Sequence, residues 1–204
     1  LNKMRKVYFL FQVRAIVFLI GISCLTVMNK SFCEELNEGL LTTREKNIEE
    51  LPPQHRLAFI SGHVAAGIFL YRAGRLSEAS KHLMHPASET HKAERIGLER
   101  EGLDIERFET ISRSIEAGIK ASQITGLLKQ AEENLLAVSN RITVDDKTVI
   151  KFLLQTAIKE YKAGVPRGKF IANLGEYQDS WGFVVVARRH AEKLKAETKG
   201  SLIY

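Results

Sequence analysis

Residues 54–86 read QHRLAFISGHVAAGIFLYRAGRLSEASKHLMHP, and the fold class follows from them. Leu57, Ile60, Val64, Phe69 and Leu70 recur at helical spacing, so the pattern predicts a largely buried helix over 54–73. Gly62 and Gly67 have no Cβ and are positions where a second backbone can come close. Gly74 is the expected left-handed stop, and Ser77 is a good N-cap for a second helix over 78–85. His85-Pro86 ends or kinks that helix, because the residue before a proline disfavours the α region. The stretch therefore predicts an antiparallel helical hairpin.

The same signals continue downstream. A polar helical stretch is expected over 87–101, then a stop at Gly102 and a helix capped at Asp104, with Ile105, Phe108, Ile111, Ile115 and Ile119 as its apolar stripe. Thr125 can cap a helix carrying Leu127, Leu128, Ala131, Leu135 and Val138 and ending near Asn140. Asp145 or Asp146 caps the next, which buries Val149, Phe152, Leu153, Ile158 and Tyr161 and ends at Gly164. After a Pro/Gly loop over 165–169, a long final helix is expected from Phe170 to about Thr198. No strand alternation stands out. Six or seven helices with short connections predict an all-α, up-and-down helical bundle in one domain, 34–204.

Upstream, Pro52-Pro53 separates the hairpin from a polar segment over 35–50 whose sparse apolar residues are Leu36, Leu40, Leu41 and Ile48. Before that, Lys3, Arg5 and Lys6 precede an apolar run from Ala15 to Met28, and Ser31-Phe32-Cys33 places small residues where a signal peptidase would look. A cleaved leader over 1–33 is the preferred reading. An uncleaved N-terminal anchor would bury Arg14 in the span, and a lipoprotein anchored at Cys24 is the third alternative. The expected location is periplasmic or secreted, or anchored to the inner membrane and facing the periplasm, with membrane contact only through the leader.

The leader changes what the charge means. The chain has 204 residues, 30 Lys+Arg, 24 Asp+Glu and a formal charge of +6. Residues 1–33 hold five basic residues and no acid, leaving 25 basic and 24 acidic residues beyond them. These alternate along the chain, which is unlike a phosphate-tracking surface, so nucleic-acid binding is not expected. Both cysteines, Cys24 and Cys33, lie in the leader, so a metal site in the rest must use nitrogen and oxygen ligands.

His63-Val-Ala-Ala-Gly67, Leu70, Gly74, Ala79 and Leu83 resemble one tetratricopeptide-type hairpin. No second copy follows about 34 residues on, so the resemblance supports a hairpin and not a repeat array. The set Gly62-His63, His82-x-x-His85-Pro86-x-x-Glu89 and Glu176-Tyr177-Gln178-Asp179 also resembles an all-helical family of exported bacterial proteins, a resemblance that implies no activity.

Histidine is the most specific chemical signal. His55, His63, His82, His85 and His91 fall within 37 residues. On a continuous helix His82, His85 and Glu89 share an arc of about 60°; His63 lies about 15 Å before the turn, and His85 and Glu89 about 12 and 18 Å after it. Two imidazoles and a carboxylate at one level suit Zn²⁺, Cu²⁺ or iron, so His63, His85 and Glu89, with His82, are the candidate ligands; His91, Tyr71 or Met84 can complete or tune the set. Non-covalent haem on His63 or His85 is a further option; a C-x-x-C-H motif for c-type haem is absent. The alternative is that these histidines are structural or face a partner.

A second cluster, Glu176-Tyr-Gln-Asp-Ser-Trp-Gly-Phe183, offers Tyr177, Asp179 and Trp181, with Tyr71, as a candidate pocket and Arg188 as an anion partner; an aromatic core anchor is the competing explanation. Gly175 and Gly182, seven apart, are expected on one close-packed helix face. His190 is expected at the surface. No G-x-S-x-G, H-E-x-x-H or Walker loop occurs, so a non-catalytic envelope protein is expected, either binding a metal or haem at the hairpin or acting as a metal-free adaptor for an envelope protein.

Overall fold

The computed structural model describes residues 51–168 and 170–201. The leader, the polar segment before Pro52 and both cysteines lie outside the described residues. Among the described residues there are seven α-helices and no strand: α1 Pro53–Arg72, α2 Leu76–Met84, α3 Lys92–Arg95, α4 Ile105–Glu116, α5 Ala121–Ser139, α6 Asp146–Gly164 and α7 Leu174–Ser201. The expected all-α bundle is what the chain forms. No helix among them is long and apolar enough to cross a membrane.

Helix α1 is central because it is apolar on nearly every side, and α2, α5, α6 and α7 all pack against it. Gly74, at φ 73°, turns the chain into α2, which forms the second arm of the expected hairpin. Gly67 lets α2 lie close, since a Cβ there would stand 2.6 Å from Leu83 Cγ and 3.2 Å from Ala79 O. Helix α4 covers α2, α5 follows, and α6 and α7 form a long hairpin whose α7 lies along α1. The core runs from Leu57, Ile60 and Val64 through Leu83 to Phe108, Ile111, Leu128 and Val138. Burying Phe108 fully stabilises the fold by about 1.5–3 kcal/mol.

The α1–α7 crossing sets the geometry of the site. A Cβ on Gly182 would sit 3.0 Å from the Gly62 carbonyl carbon and 3.1 Å from Ala66 Cβ. The two backbones therefore touch directly. Gly175 has no such role, since a Cβ there would meet only Asn173 Oδ1 at 3.4 Å.

Several local expectations are corrected. Helix α2 begins at Leu76 and has no side-chain cap; Arg75 at its head pairs with Glu78 instead of Ser77 capping it. Thr125 lies inside α5, its hydroxyl donating to Ala121 O, and Lys120 occupies the N-cap position. Ile119 falls beyond α4, after Gly118 at φ 69°, and is exposed. Helix α7 starts at Leu174, where Asn173 Oδ1 accepts from the backbone N–H groups of Gly175 and Glu176, leaving Phe170 exposed in the loop. Asp104 and Asp145 cap as expected, accepting from Arg107 N at 3.1 Å and Lys147 N at 3.0 Å.

The largest departure is the stretch expected as a helix over 87–101. It contains two single-turn 3₁₀ segments, His85–Ala87 and Glu89–His91, then the one-turn α3 and a run of turns. Ser88 is extended, and Gly97 at φ 81° and Gly102 at φ 90° break the chain twice more. What replaces the helical ladder is the buried guanidinium of Arg95, which donates to Ser88 O at 2.8 Å, to Pro86 O at 3.4 Å, to Glu89 at 2.7 Å and to Glu99 at 2.9 Å. Asn134 pins the far end from α5, binding Gly102 O at 2.8 Å and Asp104 N at 3.0 Å.

Candidate metal centre

Where α1, α2, the 85–95 loop and α7 meet, four histidines and two carboxylates come together. His63 of α1 and His82 of α2 both direct Nδ1 at one oxygen, Asp179 Oδ1 on α7, at 2.6 and 2.9 Å. The other nitrogen of His82, Nε2, donates to Gln178 Oε1 at 2.8 Å. His85 Nε2 and His91 Nδ1 each approach a different oxygen of Glu94, both at 2.8 Å. The imidazoles of His63, His85 and His91 are stacked in that order, with centroids 3.5 and 3.4 Å apart. Phe59 closes one side, edge-on to His63 and His85, and is itself backed by Phe183.

The electrostatics follow from this packing. Burial works against a charged His82, but the hydrogen bond and charge of Asp179, with Gln178, outweigh it and raise the ring above its ordinary value. Both ring nitrogens of His82 face acceptors, Asp179 Oδ1 and Gln178 Oε1, an arrangement that favours the doubly protonated ring. Asp179 is held well below the usual carboxylate range: burial opposes ionisation, but the hydrogen bonds from His63 and His82 prevail. His85, buried and beside His63, is pushed down to about 3. Burial, then His85, lowers His91, and burial raises Glu94 against the pull of His91. Next to Asp179, burial and the hydrogen bond to Glu176 push Glu160 up to about 8.

The donors suit a metal. His63, His82 and Asp179 offer ligand atoms all within 4.8 Å of one another, as do His85, His91 and Glu94. His63 Nε2 is buried with no hydrogen-bond partner, while the carboxylate of Asp179 holds Nδ1.

Of the residues singled out in the sequence, His63, His82 and His85 are brought together and Glu89 is not. Pro86 ends α2, Ser88 swings the chain outward, and Glu89 stands 78% exposed, paired with Arg95. Its expected place beside His85 is taken by Glu94. Asp179 joins the histidines rather than a pocket with Tyr71, Tyr177 and Trp181. Residues two apart on a helix point about 200° apart, so Tyr177 and Trp181 face away from Asp179. Trp181 packs on Phe69 at 4.2 Å, Tyr177 is buried near Tyr161, and Tyr71 packs on the core with its hydroxyl donating to Ala121 O at 3.5 Å. His91, Glu94 and Gln178 were not among the principal candidates; the available signal was His91-x-x-Glu94, one helical turn apart. Arg188 is exposed against Glu192. His190 is not a bare surface residue, because its Nδ1 binds Asp146, which also takes Lys193 at 2.9 Å. A separate cavity of about 270 Å³ lies between α1, α5 and α7, lined by Leu57, Val64, Leu135 and Val186 among others, and shares no residue with the histidine cluster.

Residues 140–201 match the family model of the iron permease-associated 4-helix bundle domain. The match covers less than a third of the chain and corresponds to the α6–α7 hairpin. It contains Glu160, Glu176, Gln178 and Asp179, whereas the four stacked or paired histidines come from outside it. The likeness is that of one helical hairpin to part of that bundle. No curated protein and no solved structure matches. The tetratricopeptide resemblance finds no support among these comparisons.

Proposed function

We propose that this protein is a non-catalytic, metal-binding accessory protein of the cell envelope that holds a transition-metal ion at the histidine–carboxylate cluster and serves iron or related metal transport. The observation that carries the reading is the convergence of the Nδ1 atoms of His63 and His82, both buried, on one oxygen of Asp179. Protons now stand where an ion would: a divalent cation displacing them would receive two imidazoles and a carboxylate, a set that suits iron, zinc or copper. The match to the iron permease-associated bundle supports iron as cargo. The envelope location rests on the leader read in residues 1–33. Haem is the less favoured ligand, because the imidazoles are in van der Waals contact with one another and a porphyrin would have to part the stack.

The test is a competition titration of the full-length chain with Fe²⁺ under anaerobic conditions and with Zn²⁺, repeated on His63→Ala and Asp179→Asn. Saturable binding is expected in the wild type, and both variants should either lose a bound equivalent or bind it at least ~10-fold more weakly. Binding that is absent in the wild type, or is unchanged in both variants, refutes the proposal.

A further inference from the structure

We infer that the cluster holds two metal ions, one on His63, His82 and Asp179 and one on His85, His91 and Glu94. This deepens the metal-binding reading and rests on it. A metal–imidazole bond lies in the plane of the ring, because the nitrogen lone pair does, and is about 2.0–2.1 Å long. The rings of His63 and His85 lie face to face, 13° from parallel with centroids 3.5 Å apart. An ion in the plane of one ring is therefore more than about 3 Å out of the plane of the other, which is longer than the bond it would need to make. One ion cannot serve both histidines while the stack stands.

The stack is fixed from both sides. His63 is tied to Asp179, His85 to Glu94, and Phe59 lies edge-on to both rings. The ligand atoms accordingly sort into two sets with no common member, each containing two imidazoles and one carboxylate. The two sets differ in access. In the first, His63 and His82 have side chains only 5% and 8% exposed and already converge on a single oxygen. In the second, His91 is stacked on His85 at 3.4 Å, so the same in-plane rule requires His91, 35% exposed, to swing off the stack before it can join His85 and Glu94 on an ion. The first set is a buried seat and the second an outer one.

The experiment counts bound Zn²⁺ on the full-length chain by native mass spectrometry and elemental analysis. It compares the wild type with Asp179→Asn, with Glu94→Gln and with the double variant; both substitutions keep side-chain shape, and circular dichroism checks that each variant stays helical. The wild type is expected to exceed the double variant by two equivalents, and each single variant to exceed it by one. A difference of one equivalent, abolished by either single substitution, overturns the two-ion inference and leaves the metal-binding proposal intact. A difference of zero overturns both.

Discussion

The contact of α1 on α7 through Gly62 and Gly182 leads to a sharp expectation for Gly182→Ala. In an isolated helix this change is favourable by about 1 kcal/mol, since alanine loses less backbone freedom than glycine. Here the added Cβ would stand 3.0 Å from a backbone carbonyl carbon and 3.1 Å from Ala66 Cβ, where ordinary carbon contacts are about 3.5–4.0 Å. Neither neighbour can rotate away, so the helices must part by about 1 Å, and overpacking of this kind costs up to about 3 kcal/mol. The net expectation is a loss of about 2 kcal/mol, read as a lower urea midpoint by far-UV circular dichroism. Gly126→Ala is the control: it lies inside α5, where a Cβ would meet nothing within 4 Å, so it should stabilise by about 0.5–1 kcal/mol. The shift of α7 also moves Asp179, less than one turn from Gly182, away from His63, so metal affinity should fall by on the order of 10-fold in Gly182→Ala alone. If Gly182→Ala stabilises as Gly126→Ala does, or leaves affinity unchanged, the claim that this crossing positions the site is wrong.

Two further outcomes are expected of the metal-free protein. His85 is held below its ordinary value, so the folded state binds fewer protons there than the unfolded chain; its contribution is complete above about pH 6.5 and is lost as pH falls toward about 3, at about 1.4 kcal/mol per unit for one group. Urea unfolding between pH 6.5 and 4 should show this decline, and His85→Phe, which keeps a stacked ring, should make it shallower; an unchanged slope contradicts the assignment. Arg95→Met should destabilise by about 3 kcal/mol, because it removes the guanidinium that donates to the Pro86 carbonyl and leaves Ser88 O with only the His91 N–H. Hydrogen exchange should then speed up first in residues 85–101, and uniform exchange across the chain would refute Arg95 as the organiser of that loop.

The parts legible in the sequence were those written in local signals. Apolar spacing marked α1 and α4–α6, Gly74 marked the hairpin turn, and Asp104 and Asp145 marked helix starts. The 85–101 loop was illegible because its organiser is a buried arginine, a residue type that sequence reasoning places at the surface. The site was half legible for a related reason. Histidines within 37 residues of one another announce themselves, but His63 meets Asp179 across 116 positions of sequence, and nothing local says so. The i,i+4 spacing that pairs His85 with Glu89 assumes a continuous helix. Pro86 breaks it, and the irregular path afterwards delivers the carboxylate nine positions beyond His85 instead of four.

The most direct test of the account is anomalous X-ray diffraction from crystals of the full-length chain grown with Fe²⁺ or Zn²⁺, with data on both sides of the metal's absorption edge. The account expects anomalous density bonded to nitrogens of the His63–His82 and His85–His91 pairs, at about 2.0–2.1 Å for zinc. Density found only elsewhere, for example at His190 and Asp146, with the four histidines still holding Asp179 and Glu94 as they do now, would contradict it.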